Sequence, residues 1–212
     1  MTIVEGPVTE RETIEAVARL RSMIEQEAER LEIEYDEVAF PEVGRWLEAG
    51  GLKRVERNPL MASRPNTFKS FAAPEVIVSR LTEKSKAADM LAFQTIRWTN
   101  GGDNEGPIAP VGQLRRQLES PSSVHLLAWL DGVPAGTGVS HALKGAAEIV
   151  GIVTRADKRR RGVAATVTSG LVTRHFASGG DFAFLDAADE GAVKLYEGLG
   201  FETFGTNSVY RA

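Results

Sequence analysis

The sequence contains no cysteine among its 212 residues. Disulfides, thiolate metal sites and a cysteine nucleophile are therefore excluded, and the absence fits a reducing compartment. The apolar runs are shorter than the roughly 18–20 residues that a membrane-spanning helix needs. The N-terminal stretch MTIVEGPVTERET lacks the basic-then-apolar layout of a signal peptide. We therefore expect a cytoplasmic protein with no membrane partner.

The sequence also has fewer basic than acidic residues. Lysine and arginine number 25 against 29 aspartates and glutamates, which gives a formal net charge of −4. An acidic chain has no overall basic field to attract a polyanion, so we expect no nucleic-acid partner. Hydrophobic residues make up 42% and charged residues 25% of the chain, a composition typical of globular proteins.

Against this acidic background, four consecutive basic residues stand at Lys158–Arg161, between the apolar stretch AAEIVGIVT and the small-residue stretch GVAATVTSGLV. A helix start exposes about four amide N–H groups at the positive end of the helix dipole, where they can bind an anion. Gly162 and Ala164 would let phosphate oxygens approach the backbone. The pattern favours an anion-binding loop, although a solvated basic face or a nucleic-acid patch remains open on spacing alone.

Strand and helix patterns alternate along the chain, with helices predicted over 9–29, 82–98 and 162–178 and a hairpin around Asp131-Gly132. They predict an α/β (α+β mixed) fold, a mixed sheet with helices on both faces. The phosphate-binding signatures Gly-x-x-x-x-Gly-Lys-Ser/Thr and Gly-x-Gly-x-x-Gly are absent, which excludes a P-loop and a dinucleotide-binding fold.

Two motifs in order resemble the GNAT superfamily of GCN5-related N-acetyltransferases. The family signature Arg/Gln-x-x-Gly-x-Gly/Ala is matched by Arg159 to Ala164, and a second helix-to-strand signature is matched by Ala192, Leu195, Tyr196, Gly200 and Phe201. The resemblance covers 76–212. It implies a twisted mixed sheet whose two central strands splay apart to admit acetyl-CoA, and an enzyme that transfers the acetyl group directly to a small-molecule or peptide amine, with no acyl-enzyme and no metal.

The resemblance also implies binding roles. Backbone amides of Arg161 to Ala165 would hold the coenzyme A pyrophosphate, and backbone groups at the end of the preceding strand would bind the pantetheine arm. The cofactor-binding residues so implied are Ile152, Val153, Thr154, Arg159, Arg160, Arg161, Gly162, Val163, Ala164 and Ala165.

The same resemblance suggests two catalytic residues. Tyr196 would protonate the departing thiolate, unless its ring only packs in the core. Glu148 would remove the amine proton, unless it is a solvated strand carboxylate; His141 or ordered water is the alternative base. His125 and His175 have no motif support. The alternative function is a non-catalytic acyl-CoA sensor or scaffold.

The N-terminal part resembles the C-terminal part. Aligned without a gap, Glu48, Gly51 and Asn58 match Glu197, Gly200 and Asn207. We predict a degenerate, catalytically silent GNAT-like α-β-α-β half-domain at 1–62, a linker at 63–75 and the acetyltransferase domain at 76–212. The alternative is that two helix-to-strand turns look alike only because such turns share glycines. The sequence defines neither the acceptor amine nor assembly into a homodimer. We expect Asp103 and Glu105 to lie in a solvated loop; the alternative is that they attract a cationic amine acceptor.

Overall fold

The computed structural model describes residues 9–24, 31–101 and 108–212. By compactness the chain divides into two units. The first takes the described residues up to Leu60 together with Asp186–Asp189 and Thr203–Ala212; the second takes Met61–Leu185 and Glu190–Glu202.

Helices and strands alternate as the sequence predicts. The helices are α1 (Glu10–Ile24), α2 (Val43–Ala49), α3 (Ala87–Asn100), α4 (Val111–Gln117), α5 (Val163–Ala177) and α6 (Glu190–Gly198). The strands are β1 (Glu32–Asp36), β2 (Lys53–Ser63), β3 (Val76–Leu81), β4 (Ser123–Leu130), β5 (Val133–Leu143), β6 (Ala146–Thr154), β7 (Phe182–Asp186) and β8 (Glu202–Arg211). Within the described ranges, every helix is too short or too polar to cross a membrane.

The sheet of the second unit runs in the order β7-β6-β5-β4-β3. Strands β3 to β6 pair antiparallel, whereas β6 and β7 are parallel, so the sheet is mixed. Strands β4 and β5 form the predicted hairpin. Asp131 and Gly132 both have positive φ (56° and 74°), as a two-residue turn that matches the strand twist requires. These pairings confirm the predicted fold class.

Helices cover both faces of this sheet. On one face α3 packs against β5 and β6, with Phe93 and Val139 in a shared buried cluster. On the other face α5 packs against the same strands, and Gly138 leaves room for Val167 and Leu171. Neighbouring positions of β5 thus serve opposite faces, as the pleat of a strand dictates.

In the first unit, β1 and β8 pair antiparallel from Glu32 opposite Arg211 to Asp36 opposite Asn207. Its core contains Val17, Leu31, Leu47, Leu52 and Tyr210. Because β8 is the last strand of the chain yet pairs with the first, the C-terminal residues belong to this unit.

The units divide the chain differently from the predicted domains. Residues 63–75, predicted as a linker, lie in the second unit, where Phe71 and Ala73 donate backbone hydrogen bonds to Ser169 and Thr166 of α5. The boundaries at 62 and 76 stay a prediction.

Two helix predictions differ from the structure in detail. The helix predicted from Thr82 begins at Ala87, because a turn at Thr82 competes with the helix: the Ser85 N–H donates to the Thr82 carbonyl oxygen and the Thr82 N–H donates to the Ser85 hydroxyl. The helix predicted over 9–29 is α1 as far as Ile24, and its remainder lies outside the described residues.

The helix-to-strand turns that look alike in sequence are also alike in structure. In the first unit, Gly51 (φ 85°) donates to Glu48 and Leu52 donates to Leu47; in the second, Gly200 (φ 81°) donates to Glu197 and Phe201 to Tyr196. Both are the Schellman arrangement, in which a left-handed glycine ends the helix. The likeness supports an internal repeat, which stays a prediction.

The second of these turns predicts a stability effect. A Cβ on Gly200 would overlap the Thr67 carbonyl oxygen and would sit on a left-handed backbone, whereas a Cβ on Gly198 meets nothing within 4 Å. We expect Gly200→Ala to lower the free energy of unfolding by at least about 2 kcal/mol. Gly198→Ala, the matched control, should be neutral or stabilise by up to about 1 kcal/mol.

Urea denaturation of the two variants and the wild type measures both values. Equal stabilities of the two variants would contradict the turn geometry described above.

Candidate acyl-CoA site

The loop between β6 and α5 presents unpaired backbone amides. Gly162, the N-cap of α5, adopts a left-handed conformation with φ 78° and ψ 7°. The first backbone hydrogen bond of the helix runs from the Thr166 N–H to the Gly162 carbonyl, at 2.9 Å. Within the described part of the chain, no acceptor is found for the N–H groups of 161–165. These amides form the positive end of a helix of 15 residues, so the place suits an anion.

Ion pairs hold this loop in place. Asp131, in the β4–β5 turn, accepts hydrogen bonds from Arg161 (2.8 Å) and Lys158 (3.2 Å), and Arg161 also binds Glu75 at 2.5 Å. The hydrogen bonds from Arg161 and then Lys158 lower the pKa of Asp131. The Arg161 side chain is thus engaged with carboxylates, which leaves the backbone amide of this residue as its donor for a bound anion.

The other two arginines of the run are exposed. The Arg159 Nε lies 3.5 Å from the Thr154 carbonyl oxygen. Arg160 has a positive φ of 59°, and no acidic partner for it is found among the described residues. Two left-handed residues, Arg160 and Gly162, thus shape the turn that leads into α5.

A backbone strap lies beside the start of α5. The Phe71 N–H donates to the Ser169 hydroxyl at 2.8 Å, and the Ala73 N–H donates to the Thr166 hydroxyl at 3.0 Å. A Cβ on Gly162 would come within 2.9 Å of the Ala73 Cβ. Glycine is therefore required at 162 by its left-handed backbone and by the strap behind it.

Strands β6 and β7 part well before β6 reaches this loop. Their register covers only Ala146–Glu148 against Phe182–Phe184, although β6 continues to Thr154. Ile152, Val153 and Thr154 therefore lie beyond the section of β6 that pairs with β7. This divergence is the splayed pair of strands that the family resemblance implies.

A bulge interrupts β6 in the same section. Thr137 of β5 pairs with Val153 and Val139 pairs with Val150, so one residue of β5 faces two of β6. Gly151 has φ 59° there, and its carbonyl accepts the Thr137 hydroxyl at 3.3 Å. The Arg97 guanidinium carbon lies 3.1 Å from the position that a Gly151 Cβ would take. Bulges of this kind redirect backbone groups next to sites.

Glu148 stands at the fork between β6 and β7. It is half-buried, pairs with Phe184 at the last paired position and lies opposite His141 of β5. The His141 Nδ1 is 2.8 Å from the Ser123 hydroxyl. Both candidate bases of the sequence prediction therefore lie side by side on neighbouring strands.

Tyr196, the predicted acid, is a buried residue of α6. It is 7% exposed, and its ring packs against Phe201 with centroids 5.9 Å apart. This packing explains why an aromatic ring stands at position 196. The catalytic role of the Tyr196 hydroxyl stays a prediction.

Sequence reasoning missed the residues that brace the loop. Asp131 stood out only as a turn residue, and Glu75 and the strap at Phe71 and Ala73 carried no motif, because their partners lie far away along the chain. Asp103 and Glu105, for which we expect a solvated loop, lie outside the described residues. Where side chains are described, no group of three or more His, Asp or Glu residues is placed to hold a metal ion.

The family assignment follows from sequence. Residues 90–201 match the Acetyltransferase (GNAT) family, a span that includes the β6–β7 fork, the loop before α5 and the α6 turn. More than half of the chain is matched, so it belongs to the GNAT family of acetyltransferases. No curated protein sequence matches the chain.

Solved structures agree with this assignment. A GCN5-related N-acetyltransferase from Kribbella flavida is 26% identical, with a TM-score of 0.76 over 97% of this chain and 77% of its own. One from Sphaerobacter thermophilus is 16% identical, with a TM-score of 0.67 over 92% of this chain and 66% of its own. An aminoglycoside acetyltransferase from an uncultured soil metagenomic sample is 16% identical, with a TM-score of 0.53 over 59% of this chain and 87% of its own. The first two relatives are longer than this chain.

His125, which carried no motif, is a buried histidine in contact with an aromatic ring. It is 4% exposed, packs against Phe93 with ring centroids 5.6 Å apart, and its Nδ1 has no hydrogen-bond partner among the described residues. Burial above all, and then the positive charges of His141, Arg97 and Arg80, lower the pKa of His125 to about 4.

This low pKa predicts acid destabilisation. Unfolded His125 takes up a proton near pH 6.5, whereas the folded residue stays neutral down to about pH 4. Its contribution is therefore present above pH 6.5 and is lost as pH falls toward 4. Between pH 6.5 and 4.5 the loss should be about 2 kcal/mol. Urea denaturation at both pH values should show a fall that is smaller by that amount in His125→Leu; equal falls would contradict the assignment.

Proposed function

We propose that this chain is an acyl-CoA-dependent N-acyltransferase that moves the acetyl group of acetyl-CoA directly to a primary amine. The observation that carries the proposal is the row of unpaired amides at 161–165, placed beside the parting of β6 and β7 in a chain of the GNAT family. The donor, the acceptor and the residue roles below are all part of this proposal.

The donor would lie along the fork. The amides of 161–165 would bind its pyrophosphate, with the exposed Arg159 and Arg160 adding charge, and β6 backbone groups from Ile152 to Thr154 would bind the pantetheine arm. The redirected backbone at the Gly151 bulge would polarise the thioester carbonyl. The open amides and the glycine at 162 fit such a ligand, since neither presents a side chain to it.

Glu148 would remove a proton from the ammonium form of the acceptor, directly or through water, which leaves a neutral amine. The amine nitrogen then bonds to the carbonyl carbon and the carbon–sulfur bond breaks. The Tyr196 hydroxyl would protonate the departing thiolate, and the second proton that the nitrogen loses as the amide forms would return to Tyr196. Atoms and charges balance without an acyl-enzyme, in keeping with the absence of cysteine.

The ion pairs of Lys158 and Arg161 argue against a nucleic-acid surface. Two of the four consecutive cations are paired with Asp131 and Glu75, which reduces the local charge available to a phosphate backbone. The aminoglycoside acetyltransferase among the similar structures shows that this fold accommodates small amine acceptors. A small-molecule or peptide amine is therefore the proposed partner here.

The first experiment measures thiol release from acetyl-CoA with a panel of amines: aminoglycosides, polyamines, amino acids and peptide N-termini. The proposal expects amine-dependent release of free thiol with at least one of them. Binding of acetyl-CoA by calorimetry without turnover on any amine would favour the acyl-CoA sensor instead, and absence of binding would exclude both functions.

With an active amine in hand, Glu148→Gln should lower kcat by about 100-fold or more near neutral pH and leave the KM for acetyl-CoA unchanged. The loss should shrink as pH rises, since a growing share of the amine is then already deprotonated. His141→Gln is the matched comparison and should cost less. A pH-independent loss in Glu148→Gln, or a larger loss in His141→Gln, would contradict the role of Glu148.

A further inference from the structure

A second polar cleft lies at the C-terminal end of α5. Its volume is about 460 Å³, within the range of small-molecule sites. The residues that matter for its chemistry are Arg80, Ser122, Ser140, Arg174, His175 and Ser178. None of the described lining residues is an aspartate or a glutamate.

Two arginines give the cleft its charge. Arg80 comes from β3 and Arg174 from the last turn of α5, and both are exposed. No carboxylate pairs with either of them within the described ranges. Arg174 uses Nη1 to donate to the Gly170 carbonyl at 2.9 Å, which leaves the other N–H groups of its guanidinium for a ligand. Because the chain as a whole carries a net charge of −4, its composition does not explain why this cleft is cationic.

Ser140 supplies a polar group at the base of the cleft. The residue is only 4% exposed and lines the cavity, and no partner for its hydroxyl is found among the described residues. The other hydroxyls are partly used: Ser122 shares a 3.0 Å hydrogen bond with Ser120, and Ser178 donates to the His175 carbonyl at 2.7 Å. The His175 Nε2 is likewise used, by the carbonyls of Gly145 and Phe182.

The cleft is separate from the amides of 161–165. It adjoins Arg174 to Ser178, whereas those amides precede the first turn of α5, and a helix of 15 residues is about 20 Å long. A ligand in one place does not reach the other.

We propose that this cleft is a second anion site, which binds a small phosphate-bearing metabolite between Arg80 and Arg174. Guanidinium groups bind phosphate through paired N–H donors, and the Ser140 hydroxyl adds a donor from below. The inference does not depend on the proposed acyltransfer, because none of its residues belongs to the acyl-CoA site.

The test is a titration of the full chain with inorganic phosphate, at ionic strength held constant with sodium chloride, followed by the ¹⁵N–¹H resonances of backbone amides. The proposal expects saturable shifts at Ser140, Ala142 and Ser178, and an affinity that falls by about tenfold or more in Arg80→Gln/Arg174→Gln. Ser140→Ala, which removes only the hydroxyl, should also weaken binding.

The matched control is Arg19→Gln/Arg116→Gln, which removes two exposed arginines elsewhere and should bind phosphate like the wild type. Shifts that chloride reproduces, shifts confined to 161–165, or an affinity unchanged in Arg80→Gln/Arg174→Gln would each overturn the proposal. Because the amides of the two sites are read separately, failure here and failure of the acyl-CoA proposal are distinguishable.

Discussion

The proposed acyl-CoA binding depends on a helix that begins with its amides unpaired. At the N-terminus of α5 the N–H groups of 161–165 find no acceptor in the described chain, because the first helical hydrogen bond is donated by Thr166. Open amides of this kind are favourable only where water or an anion satisfies them. The left-handed backbone at Gly162 turns the chain out of the β6 edge and into the helix without a side chain in the way.

The basic residues before this helix are partly neutralised by carboxylates that lie far away in sequence. Cations near a helix N-terminus oppose its dipole, so a run of four is unfavourable there unless other charges compensate. Asp131 and Glu75 pair with Lys158 and Arg161, which leaves Arg159 and Arg160 as the exposed charges. The ion pairs of Asp131 also connect the loop to the β4–β5 turn, so they both neutralise charge and hold the loop in position.

Local patterns predicted much of this arrangement. The apolar run 146–154, the basic turn and the small-residue helix appear as predicted, because each depends on neighbours within a few residues. The turn after α6 and the hairpin at Asp131-Gly132 could likewise be predicted, because each contains a glycine that adopts the left-handed conformation the turn needs.

Features that depend on distant residues were not predictable. Glu75 and Arg161 are 86 positions apart, and nothing near either one indicates the pair. The bulge at Gly151 depends on its pairing with β5 and looks in sequence like any glycine in a strand. The start of α3 was predicted wrongly for a different, local reason, because the Thr82–Ser85 turn competes with the helix. The pairing of β8 with β1 could not be read from either strand alone, and it assigns the chain's last residues to the first unit.

The central claim of the proposal is that the backbone amides of 161–165 bind the donor's diphosphate. Calorimetry of coenzyme A with Ala164→Glu and its neutral match Ala164→Gln tests this most directly. A glutamate in the first helical turn favours the dipole, so Ala164→Glu should be at least as stable as Ala164→Gln, yet bind coenzyme A about tenfold or more weakly through repulsion of the phosphates. Equal affinity of the two variants, or no binding of coenzyme A by the wild type at millimolar concentration, would contradict the account.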